Sequence, residues 1–191
     1  MIESHIVVIG LSSLPYDSLL NDLTRLECKV SFMDSLAEIP GECSLAIVFG
    51  GSRDHEEFNK LSIISHIPWL PVQYSSTFSR LGPLIVAEET PCYECVALRI
   101  QSLGCTQEFI HNRHFELSFE LLCKIIVLEV IKWSARETTT FVPVTLSHML
   151  EFDAFHLEGE LFPVYKVPSC PVCGSRHKQG TPKMPWNMVT V

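Results

Sequence analysis

The chain has 191 residues, enough for one domain with a core of its own, and its 47% apolar and 19% charged content lies far from the disordered regime. A net charge of −8, with no stretch that gathers Lys and Arg, argues against nucleic acid as a partner. Glu3 stands where a signal peptide is basic, Ile6–Leu11 is too short to insert in a bilayer, and Leu121–Trp133 is broken by Lys124, Glu129 and Lys132; the expectation is a cytoplasmic protein with no membrane segment and with reduced thiols.

Ile6–Ile9 is a short β-branched run, followed by turn residues from Gly10 to Pro15 and a helical pattern at Leu19, Leu20, Leu23 and Leu26. Cys28–Met33 reads as a second strand and Ser44–Phe49 as a third, leading through Gly50-Gly51 to a helix over about Glu56–Ser65. Pro68–Tyr74 gives a fourth strand. Strands alternating with helices of this length predict an α/β fold, a Rossmann-like and mostly parallel sheet with helices on both faces. Beyond Leu81–Val86 the pattern changes. Cys92–Leu103 opens a helix, and Glu116–Trp133 makes a long one whose nearly all-round apolar character predicts burial on two sides. Alternation at Val142, Val144 and Leu146, then at Leu150 and Phe152, with Glu158-Gly159 as a turn, predicts C-terminal antiparallel strands. Residues 1–176 read as a single domain, and residues 177–191 as an irregular tail whose Gly180, Pro182 and Pro185 oppose regular structure while Trp186 offers a docking residue.

In a reducing compartment cysteines argue for metal or catalysis before disulfides, and four of the eight fall into two C-x-x-C pairs, Cys92/Cys95 and Cys170/Cys173. Each C-x-x-C turn sets two sulfurs on one side of an ion, so the two pairs together complete a four-thiolate structural zinc site joining segments separated by residues 96–169. The alternative reading makes one pair a redox dithiol. Glu88, Glu89 and Glu94 render the first pair electronegative, which disfavours an attacking thiolate. Cys28, Cys43, Cys105 and Cys123 each lie alone among strand or helix residues and read as core. His111 and His114 have ligand-like spacing but read as a solvated turn.

A nucleotide site on such a sheet needs a glycine-rich turn after the first strand. Here the turn is Gly10-Leu11-Ser12-Ser13-Leu14-Pro15, with one glycine and no nearby cation. Asp34 closes the second strand where a ribose-binding acid would sit, so Gly10 and Asp34 mark a degenerate nucleotide site. Gly50 and Gly51 fit either a backbone approach to a ligand or a plain strand-to-helix turn.

Two stretches, Leu81-Gly82-Pro83-Leu84-Ile85-Val86 through Thr90-Pro91-Cys92-Tyr93-Glu94-Cys95, and Phe162-Pro163-Val164-Tyr165-Lys166-Val167-Pro168-Ser169-Cys170-Pro171-Val172-Cys173-Gly174, resemble the ThiF-like partner proteins of azole-forming peptide cyclodehydratases. These sit in the superfamily of ubiquitin-activating and related adenylating enzymes, and the resemblance spans about residues 6–175. It implies a subunit that has lost ATP chemistry and presents a ribosomal precursor peptide to a YcaO-type enzyme, which forms thiazole or oxazole rings, with Cys92, Cys95, Cys170 and Cys173 as zinc ligands and no catalytic residues. Family members often begin with a winged-helix leader-binding module, whereas here the first strand starts near Ile6. Leader recognition is therefore expected in a partner, with an oxidase as a further partner. No YcaO-like region follows Cys173, so an obligate complex is expected, as a homodimer or hetero-oligomer. An active adenylating enzyme that activates a peptide C-terminus with ATP is the rival expectation.

Overall fold

The computed structural model describes residues 4–10, 15–34, 39–75, 78–102, 116–154 and 156–174. Leu11, Ser13, Cys105, His111, His114, Trp186 and the 177–191 tail lie outside them.

The elements run β1 (His5–Ile9), α1 (Asp17–Arg25), β2 (Lys29–Met33), β3 (Leu45–Phe49), α2 (Ser52–Ser65), β4 (Trp69–Tyr74), β5 (Phe78–Leu81), α3 (Tyr93–Ser102), α4 (Glu116–Ala135), β6 (His148–Asp153) and β7 (Glu158–Pro163). They build one seven-stranded sheet in the order β2-β1-β3-β4-β5-β6-β7. The expectation of a mostly parallel sheet needs correction. The pairings among β2, β1, β3 and β4 are parallel, but those from β4 through β5 and β6 to β7 are all antiparallel, so the sheet is evenly mixed.

Strand alternation explains the two cores. In β1, Ile6 and Val8 point to one face and Val7 and Ile9 to the other, and β3 repeats this with Leu45, Ile47 and Phe49 against Ala46 and Val48. Leu19 and Leu23 of α1, with Phe119, Leu122, Ile126 and Val130 of α4, cover the first face. Phe58 of α2 and Tyr93 of α3 cover the second. Helices thus lie on both faces, as expected. Expected to be buried on two sides, α4 instead buries one broad face and leaves Leu121, Leu128 and Ile131 exposed on the other.

Four boundaries differ from expectation. Helix α2 begins at Ser52, because Gly51 is its N-cap and the Asp54 carboxylate accepts the Gly51 N–H at 2.9 Å. That starting geometry accounts for Gly50, since a side chain there would meet Asp54 Oδ2 at 2.7 Å. Strand β5 carries Ser79 and Arg80 and so lacked an apolar signature. Residues 141–147 make no strand. Leu146 forms one isolated bridge to Leu84, while the Thr145 N–H and hydroxyl donate to the buried Glu129 carboxylate of α4 at 2.8 and 2.7 Å. Glu158-Gly159 is not the turn either. It opens β7, pairing with Asp153 and Phe152.

The path from β5 to α3 is fixed by close contacts. Gly82 has φ +86, and a Cβ there would lie 2.9 Å from the His148 carbonyl oxygen. The Thr90 hydroxyl accepts the Val86 N–H at 2.7 Å and donates to the Leu84 carbonyl at 3.0 Å, which delivers Cys92 to the start of α3.

Candidate metal centre

Cys92 immediately precedes α3 and Cys95 sits in its first turn, with the Cys95 N–H donating to the Cys92 carbonyl at 3.0 Å. Asn59 of α2 orients this helix start: its Oδ1 accepts the Tyr93 N–H at 2.9 Å, satisfying a helix-end donor that would otherwise be buried without a partner. The second pair is shaped by a compact turn. The Cys170 N–H donates to Val167 O at 3.0 Å and the Gly174 N–H to Cys170 O at 2.9 Å. Only glycine fits at 174, because a Cβ would lie 2.3 Å from the Cys170 carbonyl oxygen.

The two turns meet. Sγ of Cys92 lies 3.9 Å from that of Cys95 and 3.6 Å from that of Cys170, and Sγ of Cys95 lies 3.4 Å from that of Cys173. All four sulfurs fall within 4.8 Å of one another. A tetrahedron of thiolates at a metal–sulfur length of about 2.3 Å has edges of about 3.8 Å. The four cysteines therefore match a metal-holding cluster, joining residues 78 apart in sequence. Ile63, Val167 and Val172 pack around it.

Electrostatics point the same way. Burial pushes the Cys92 thiol up, and pushes Cys95 up to about 11, although the Val167 N–H directed at its sulfur at 3.3 Å works against this. Cys170 moves the other way: burial opposes ionisation there, but the Cys173 and Val172 N–H groups and the thiols of Cys92 and Cys95 favour its thiolate. One anion among buried thiols is stabilised, and four require a cation. The lone cysteines differ. Burial raises Cys28, Cys43 to about 11 and Cys123 to about 12, so they stay protonated.

Gly10 and Asp34 sit at the carboxyl ends of β1 and β2, and Asp34 is exposed. Gly10 has φ +86, and its Cβ would come 2.1 Å from Phe49 O, so the close passage of β3 explains the glycine. Its N–H donates to Met33 O at 3.2 Å. The cluster of fully or nearly fully buried polar residues around α3, His55, Asn59 and Gln73, was missed from sequence, since isolated polar residues in a helix or strand give no signal of what faces them.

The fold is shared with heterocyclases and with the microcin C7 biosynthetic enzyme MccB. A heterocyclase solved with substrate and cofactor superposes with a TM-score of 0.70 at 19% identity, over 90% of this chain and 26% of that one. The heterocyclase TruD gives 0.71 at 22% identity, over 91% and 28%. MccB of E. coli gives 0.64 at 17% identity, over 93% and 60%, and MccB has also been solved with MccA and with ATP. This chain thus spans about a quarter of the length of the two heterocyclases. No protein-family profile and no curated protein sequence matches it.

Proposed function

We propose that this chain is a zinc-binding, peptide-presenting scaffold subunit of a cyclodehydratase complex that makes thiazole or oxazole rings in a ribosomally synthesised peptide. Cys92, Cys95, Cys170 and Cys173 hold a structural zinc, and a separate YcaO-type enzyme performs the ATP-dependent cyclisation. The observation that carries the reading is the setting of Gly10 at the end of β1. A nucleotide-binding turn aims free backbone N–H groups at phosphate, whereas the Gly10 N–H is committed to Met33 O and its glycine is required by Phe49. The four-cysteine cluster and the fold likeness to heterocyclases and to MccB support a role in peptide modification. Closed four-thiolate sites are structural, so the zinc acts as a clamp and supplies no open coordination position. A leader-binding protein and an oxidase complete the complex.

Co-expression of a precursor peptide and a YcaO-type enzyme with and without this chain tests the reading. Mass spectrometry should find the loss of one water per ring only when the chain is present, and equal heterocyclisation without it would sink the proposal. The rival, an active adenylating enzyme, is favoured by the likeness to the ATP-bound form of MccB. Micromolar ATP binding by calorimetry would establish it in place of the scaffold.

A further inference from the structure

The sheet ends at β7, and its outer edge is open among the described residues. Five of its six residues are exposed. Hydrogen-bonded and non-bonded pairs alternate along an antiparallel ladder. The Val164 N–H to Ser147 O bond, at 2.9 Å, fixes the phase. In the register Met149↔Phe162, Glu151↔Glu160, Asp153↔Glu158, the backbones of Phe162, Glu160 and Glu158 face β6, so the N–H and C=O groups of Gly159 and Leu161, and the C=O of Pro163, face outward.

The side chains beside this edge are acidic in an unusual register. Glu151 stands directly opposite Glu160, and Asp153 directly opposite Glu158. Like charges in such pairs destabilise a sheet. Charges on an edge strand normally guard against aggregation, but that purpose is met by Glu158 and Glu160 alone and would be better served by cations opposite them. Arg80 pairs with Glu151 and His156 with Asp153, while Glu158 and Glu160 make no ion pair among the described residues. The carboxylates and Phe78 line a concavity of about 560 Å³. Farther along β6 and β7, Val96 and Ile100 of α3 pack with Met149, Phe162 and Val164. The other edge, β2, offers less: it begins with Lys29, the rest of it is half-buried, and Phe32 is stacked on Tyr16 at 5.0 Å.

We propose that the open edge of β7 takes an extended, basic peptide as an eighth strand, with Lys or Arg at alternate positions facing Glu158 and Glu160. Main-chain bonds to Gly159 and Leu161 supply affinity, and the carboxylate rows select the charge. This deepens the peptide-presenting reading and rests on it for the identity of the peptide.

The test uses the full chain and a fluorescein-labelled octapeptide of alternating Lys and Thr, read by anisotropy. Binding is expected, with no binding of the Glu-Thr counterpart. The double variant Glu158→Gln/Glu160→Gln, with unchanged circular dichroism, should bind about tenfold more weakly. N-methylation of alternate peptide amides, which leaves charge intact, should weaken binding by about tenfold or more in one of the two phases and little in the other. Equal binding of both N-methylated phases, or no effect of the double variant, overturns the edge site. If the peptide binds as described while the chain leaves heterocyclisation unaffected, the edge site stands and the cyclodehydratase reading fails; the reverse pattern removes only the edge site.

Discussion

His55 lies fully buried in α2, its Nε2–H donated to the Val48 carbonyl at 2.9 Å and its ring packed between Trp69 and Tyr93. Burial outweighs that hydrogen bond and the nearby Asp54, and lowers its pKa to about 4. The folded value is below the unfolded one, so the unfolded chain binds the extra proton and stability is lost as pH falls from about 6.5 towards 4. The loss is on the order of 3 kcal/mol, and urea titrations at several pH values should show it shrink in His55→Phe. At Gly10 the constraint is steric. Gly10→Ala places a methyl 2.1 Å from Phe49 O at a φ of +86, and a cost of about 3 kcal/mol is expected by chemical denaturation. Both effects show why single residues mislead: the glycine was visible as a broken phosphate turn, but its reason is a neighbouring strand that sequence does not locate.

At the level of elements, α4 does more than fill a core. Its Glu129 is 3% exposed, bonded to Lys132 at 2.7 Å and to both Thr145 donors, and so ties residues 141–147 to the helix. Glu129→Ala leaves a buried N–H and hydroxyl without partners, and should cost about 3 kcal/mol. The measurable sign is earlier proteolysis between residues 136 and 147 than in the wild type. The alternation of Val142, Val144 and Leu146 mimicked a strand, but the burial runs the other way: Val142 and Val144 are exposed, and Pro143 and Thr145 are the buried residues, with Thr145 held by its contact with Glu129 rather than by a ladder. By contrast β1, β3 and β4 were legible, since strands buried on both faces are largely apolar, with only His5 in β1 and Gln73 in β4 breaking the run.

For the whole molecule, the cysteine cluster fastens the segment after β7 to the start of α3. Purified protein should carry about one zinc per chain by mass spectrometry, lost in Cys92→Ser and in Cys170→Ser. Chelation should lower the melting temperature by about 10 °C in the wild type and leave either variant unchanged. Because the thiols must ionise to bind metal, and burial holds Cys92 and Cys95 above their ordinary values, zinc should be released as pH falls.

The sequence by itself determined the α/β alternation, the two C-x-x-C pairs and their sum to four thiols, because periodicity and ligand spacing are local properties. Only the tertiary structure decided that the four sulfurs lie within 4.8 Å of one another, that the antiparallel strands join the parallel ones in a single sheet at β4, and that like charges face each other across β6 and β7. Those are relations between distant segments, set by register and packing, and no local pattern encodes them.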